Sequence, residues 1–185
     1  MFRGTVPSPT ASNRVERSTA DGGHMAHRTE FTGRIEIDPP LNRQEIDFLV
    51  AFAGPASGPH RSPADGLPRR GRPLSWCQWV PTADGTALGW NGGDCFYFYT
   101  EWLAYLIDTF LSRRARVRRA SRGPRATVPA GCTGFTFDHV LDGTVDVRTP
   151  AGTLRRITVR DNRVEEHLVA GPGLAVRSSS DAAVS

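Results

Sequence analysis

Residues 95–113 read CFYFYTEWLAYLIDTFLSR, and the spacing of apolar groups in this stretch decides the fold. At 100° per residue, Tyr105, Phe98, Trp102, Leu106, Tyr99, Phe110, Leu103, Phe96 and Ile107 cover a continuous arc of roughly 200°. Thr100, Glu101, Ala104, Asp108 and Ser112 fill the complementary arc, with Tyr97 and Leu111 as exceptions. An arc that wide is buried against more than one element. The pattern predicts a core helix over about 95–113, capped by Asp94 after the break at Gly92-Gly93.

Working outward from that helix, short strands are expected at Leu74–Val80 and Ala87–Trp90, joined by the tight turn Thr82-Ala83-Asp84-Gly85. Further upstream, Phe31, Ile35 and Ile37 alternate with Thr32, Arg34 and Glu36, the pattern of a half-buried strand stopped by Asp38-Pro39-Pro40. A helix start follows, with Asn42 as cap, Glu45 reaching back and Leu41 packing on Ile46; Ile46, Leu49, Val50 and Ala53 form its apolar stripe. Five prolines between Gly54 and Pro73 exclude regular structure there. Downstream, strands are expected at Val140–Arg148, Thr153–Arg160 and Val164–Val169, with turns at Pro150-Ala151-Gly152 and Asp161-Asn162. The order β-α-β-β-α-β-β-β predicts an α+β fold: a split βαβ plait with a C-terminal antiparallel meander, two helices on one sheet face. The expected domain is 29–169, with a loop at 54–73 and an arginine-rich insertion at 113–135. Tails at 1–28 and 170–185 are expected to be disordered, and Met25 is the expected natural start.

The 185 residues carry 23 basic side chains against 19 acidic ones, and every basic one is arginine. Without lysine there is no Schiff-base chemistry and no phosphate-loop lysine. Seven of the arginines, with no acid among them, lie in residues 113–125, so the net charge of +4 comes from one short run and the remainder of the chain is mildly acidic. No apolar stretch is long enough for a membrane span, and Cys77, Cys95 and Cys132 lack the spacing of a zinc site or a disulfide framework. A cytoplasmic protein without a metal, a cofactor or a membrane partner is expected.

Ser75-Trp76-Cys77-Gln78-Trp79-Val80-Pro81, Asp84-Gly85, Leu88, Trp90, Phe96-Tyr97, Tyr99, Glu101-Trp102-Leu103, Tyr105-Leu106-Ile107 and Phe110-Leu111 together form a tryptophan-rich motif. In this motif the chain resembles a family of small uncharacterised proteins associated with bacteriophage genomes and with bacteria carrying such elements. The likeness extends to Ile35–Leu41, Leu141–Val145 and Ile157–Val164. Asp94-Cys95 stands where relatives are expected to carry Glu-Lys, and residues 113–135 are extra. The resemblance implies the limits of the domain and assigns no activity.

Candidate sites fall into three groups. Trp76, Trp79 and Trp90, with Asp84 in the turn, form an aromatic hairpin suited to a partner protein or small ligand. Trp76 and Trp79 are three apart, so in a regular strand one of them leaves the helix-covered face. Asp84, Asp94 or Glu101 with His139 would be needed for a hydrolytic enzyme. Asp94, Glu101 and Asp108 recur every seven residues, about 10.5 Å apart along a helix, too far for one metal. Arg113, Arg114, Arg116, Arg118 and Arg119 invite a nucleic-acid reading, set against a solvated appendage at a helix C-terminus. With no catalytic motif present, the preferred function is a non-catalytic module that binds a partner through the hairpin and the Pro-rich loop; an enzyme and a nucleic-acid binder are the alternatives.

Overall fold

The alternating segment forms β1 (Glu30–Asp38). Ile35 and Ile37 are buried while Arg34 and Glu36 face water, so period-two alternation sorts the strand into a core face and a wet face. The computed structural model describes residues 28–53, 70–122 and 131–172. The expectations for 1–27 (Met25 included), 54–69, 123–130 and 173–185 fall outside the described residues.

After the cis Asp38–Pro39 bond the chain enters α1 (Arg43–Ala53). Its start is the capping box read from the sequence. Asn42 Oδ1 accepts from the backbone N–H groups of Gln44 (2.9 Å) and Glu45 (3.0 Å), and Glu45 Oε2 accepts from the Asn42 N–H (2.8 Å). The buried stripe is rotated from the expected one: Phe48, Leu49, Phe52 and Ala53 face inward, and Val50 is exposed. The two phenylalanines set this rotation, since Phe48 and Phe52 both pack edge-on against Phe110, and Phe52 also meets Trp102.

The hairpin is β2 (Trp79–Pro81) and β3 (Ala87–Trp90), followed much later by β4 (Val140–Arg148), β5 (Leu154–Arg160) and β6 (Arg163–Ala170). The protein is α+β, with one six-stranded sheet ordered β2-β3-β1-β4-β5-β6 in which each neighbouring pair is antiparallel. Asp161 and Asn162 both take positive φ in the β5–β6 turn. Asn162 then hooks that turn to β4, accepting from the Leu141 N–H and donating to the His139 carbonyl. Ile35, Leu88, Leu141, Val145, Ile157 and Val159 join the buried helix residues in one core cluster.

The second helix is shorter than its periodicity predicts. α2 spans Tyr99–Leu106 and runs on as a π-helical segment, Ile107–Leu111. Asp94 does not cap it; that carboxylate is exposed and pairs with Arg28 at 3.1 Å. Residues 75–79 hold this stretch, their side chains claiming carbonyls ahead of the helix and in its first residue. Gln78 donates to Asp94 O, Ser75 to Tyr97 O and Trp79 Nε1 to Tyr99 O. Cys95 and Phe98 adopt left-handed φ of 56° and 55°, which swings Tyr97 and Phe98 out to solvent. At the other end the wider π turn carries Leu111, an exception in the α-periodic reading, into the core at 0% exposure.

The arginine run also departs from expectation. After Arg113 and Arg114 it forms a short helix, α3 (Arg116–Ala120), and Val117 and the preceding Ala115 are fully buried. Residues 115–117 belong to the body of the domain, and the hanging-appendage reading does not hold for them.

The hairpin turn packs on the entry to α1: Gly85, at φ 73°, accepts from the Leu41 N–H at 2.9 Å. A Cβ there would lie 2.5 Å from the Leu41 carbonyl oxygen, whereas at Gly152 (φ 78°) a Cβ meets nothing within 4 Å. Gly85→Ala should cost about 1–3 kcal/mol and Gly152→Ala about 1 kcal/mol, both read as urea midpoints at unchanged m.

Candidate recognition surface

The chemistry-bearing residues fall into one buried polar cluster and one exposed apolar corner. In the cluster, Glu45 (0% exposed) and His139 (1%) stand 3.1 Å apart. Glu45 Oε1 also accepts from the backbone N–H (2.7 Å) and hydroxyl (3.1 Å) of Thr136. His139 Nδ1 donates to the Pro39 carbonyl at 2.7 Å. Nε2 lies against both the Glu45 carboxylate and the Thr136 hydroxyl (3.0 Å), and with a carbonyl on Nδ1 and a carboxylate on Nε2 the surroundings favour the imidazolium, in which both nitrogens donate. Burial opposes the charge on Glu45, but hydrogen bonds from His139, Thr136 and Asn42 outweigh it and hold the carboxyl below its usual 4.5. Burial also opposes the imidazolium, and its bonds to Glu45 and Pro39 outweigh that, raising His139 above 6.5.

This cluster takes His139 away from the hydrolytic arrangement. Asp84 accepts from Thr82 and Thr86 in the hairpin turn, and those bonds pull its carboxyl down to about 2. Asp94 meets Arg28 and Glu101 meets Thr100, so none of the three acids is brought to the imidazole. The three cysteines are free thiols; burial pushes Cys77 up to about 12 and Cys132 up to about 11, which leaves these two buried thiols poor nucleophiles. Among the described residues no group of three or more His, Cys, Asp or Glu could hold a metal, and no helix is long and apolar enough to cross a membrane.

The hairpin tryptophans separate sharply. Trp79 is 1% exposed, with its ring against Phe31 and Phe96, so it offers no face to a ligand. Trp90 is partly buried against Phe31, donates Nε1–H to Gln78 and carries Arg28 over its ring. Trp76 precedes β2 and is half exposed. It therefore lies outside the paired strand, whose alternation does not determine its direction.

Beside Trp76 is a surface that strand alternation does not reveal. Residues 70–76 run antiparallel to α2. Arg116, held by Asp108 at 3.7 Å, donates to the Arg70 carbonyl. Arg72 lies 5.5 Å over the Phe52 ring and close to Tyr105. Ser75 accepts from Trp102 Nε1 while donating to Tyr97 O. Leu74 (95% exposed) and Phe98 (54%) share a cavity wall at the N-terminal end of α2. Trp76 (50%) and Tyr97 (61%) are exposed as well; in the chain Trp76 follows Ser75, whose hydroxyl reaches the Tyr97 carbonyl, and Tyr97 precedes Phe98. A cavity of about 300 Å³ opens there, walled by Gly71, Arg72, Pro73, Leu74, Phe98 and Glu101. A scattered exposed leucine needs no explanation; four large apolar groups at one corner do.

Of the candidate arginines, Arg113, Arg114 and Arg119 are exposed. Arg118 donates to the carbonyls of Arg113 and Phe137, and Arg116 is spent on Asp108 and Arg70. Tyr97 belongs to the aromatic cluster Trp76, Trp79, Trp90, Tyr97, Tyr99, Trp102 and Tyr105 that the sequence offers as a ligand groove, whereas sequence reasoning missed Leu74, Arg72 and Phe98 as parts of a surface. The available signal was the run Phe96-Tyr97-Phe98-Tyr99, because four consecutive aromatic residues span too wide an arc to be buried on one helix together. Comparison of the chain with protein-family models, curated proteins and solved structures gives no match.

The buried pair makes stability depend on pH from both sides. A carboxyl lowered by folding stabilises above its unfolded range, and that contribution disappears as pH falls through the folded value. A histidine raised by folding stabilises fully below about 6.5, and that contribution disappears as pH rises through its raised value. Stability should be highest between the ordinary values of 4.5 and 6.5 and decline on each side. His139→Leu, which leaves a buried carboxylate without its cation, should cost about 3–5 kcal/mol and abolish the alkaline decline in urea titrations.

Proposed function

We propose that this chain is a non-catalytic recognition module whose contact surface is the corner formed by Leu74, Trp76, Tyr97 and Phe98. One observation carries the reading: Leu74 and Phe98, from two segments of the chain, are exposed together on one cavity, with Trp76 and Tyr97 exposed in the same two segments, while the acids needed for hydrolysis are committed elsewhere. A volume of about 300 Å³ is at the small end for ligand sites, so one flat or apolar group of the partner enters it. Arg72, stacked on Phe52 and without a carboxylate among the described ion pairs, adds a positive wall.

The same proposal includes the framework and the setting. We read the strand order as a split βαβ plait extended by a meander, since β1 lies between β3 and β4. Kinship with the phage-associated family is part of the proposal, because Trp76 and Tyr97 belong to the motif that carries the resemblance. Three free thiols support a reducing compartment such as the cytoplasm.

An anilinonaphthalene sulfonate dye, a flat apolar body with one anionic group, tests the surface. The dye should brighten with the native chain, and Leu74→Ser or Phe98→Ser should weaken its binding about fivefold or more at unchanged melting temperature. Dye binding that ignores both substitutions would remove the reading.

A further inference from the structure

Two features far apart in the sequence are joined in the fold. Residues 70–76 begin at Arg116 of α3 and end at the aromatic corner, with Arg72 between them. The arginine helix and the exposed aromatic groups therefore lie on one stripe along α2. Its basic end is fixed in place, because Ala115 and Val117 are fully buried. Among the described residues, only Arg116 of the six arginines at 113–122 meets a carboxylate. Arg113, Arg114 and Arg119 are exposed cations beside it.

We propose that this stripe binds single-stranded nucleic acid, with bases stacking on Trp76, Tyr97 and Phe98 and the phosphate backbone running past Arg72 toward Arg113, Arg114 and Arg119. The proposal rests on the recognition-module reading and names its partner. Every base offers a flat face, so exposed aromatic groups bind single strands without reading sequence, and arginines along the track neutralise phosphates. In a duplex the faces are already stacked, and the aromatic corner has nothing to take. A protein partner would be served by the apolar corner alone and leaves the unpaired arginines unexplained. Glu101, on the wall of the cavity, lies beside the phosphate path and works against binding.

Fluorescence anisotropy with the full chain and a labelled thymidine oligonucleotide of about 20 residues tests the proposal, with a duplex of equal length as comparison. Between about 50 and 200 mM salt the log–log slope for the single strand should be near −3, from four arginines at about 0.7 each. Replacing Arg113, Arg114 and Arg119 together by Ala should flatten the slope by about 2. Trp76→Ala should weaken binding about tenfold at unchanged slope, and Trp76→Phe should restore most of it. Glu101→Gln should tighten binding. Thermal melts check that each variant is folded. Equal affinity for the duplex, a slope flatter than about −1, or indifference to Trp76→Ala would overturn the proposal. If the oligonucleotide fails while the sulfonate dye still binds at the corner, this inference falls and the recognition reading stands. If the dye fails as well, both fall.

Discussion

Among the described residues, the Glu45 carboxylate ties the start of α1 and, through His139, the end of β1 to a segment far away in the chain. Its two oxygens hold the first turn of α1, the backbone of Thr136 and the ring of His139, whose other nitrogen reaches Pro39. A charge at zero exposure is tolerated only when its lone pairs are filled, so these partners must all be present together. The requirement ties the end of β1, the start of α1 and the approach to β4 into one unit, and β4 is the strand that places β1 at the centre of the sheet. The long detour of the chain from residue 54 to residue 139 is thereby closed at a fixed geometry. What lies within the detour, the hairpin and α2, is built on a settled frame.

Within that frame a second constraint moves the aromatic groups. Ser75, Gln78 and Trp79 use their side chains to hold the carbonyls of Tyr97, Asp94 and Tyr99. Ahead of Tyr99, where α2 begins, the backbone held at Asp94 and Tyr97 is not helical, and the chain turns through left-handed residues at Cys95 and Phe98. For a bulky residue that conformation is uncommon and costs free energy. Here it has two consequences. Phe96 goes into the core against Phe31 and Trp79, and Tyr97 and Phe98 go out. The exposed corner thus results from how the core is closed.

Most of the framework was legible because it is written in local pattern. Alternation in 31–37, the Asn42–Glu45 box, the Asp84-Gly85 turn and the Asp161-Asn162 turn each act within a few residues. Each structural counterpart appears within a residue or two of its expected place. Long-range hydrogen bonding was not legible. Periodicity continues α2 back to Cys95 because it counts apolar residues and ignores carbonyls claimed from residues 75–79. The same blindness placed Val50 inside and Leu111 outside, where the packing of Phe48 and Phe52 and the π turn reverse the assignments. The sequence sets His139 with Asp84, Asp94 or Glu101, yet its partner is Glu45, 94 positions earlier.

The arginine segment shows what the counting of charge omits. Seven cations in 13 residues read as a solvated block because charge runs usually are solvated. Ala115 and Val117 are small, and burying both contributes little apolar area compared with Trp102 or Phe110. Their effect is geometric: they fix the arginines next to residues 70–72 when a segment of that charge would otherwise extend into water. Asp108 offsets only one of those arginines, at 3.7 Å, so the positive potential persists at the end of the stripe. Fixed at the far end of α2 from the aromatic corner, that potential is presented at one place along the helix; on a free tail the same charges would be averaged over many positions.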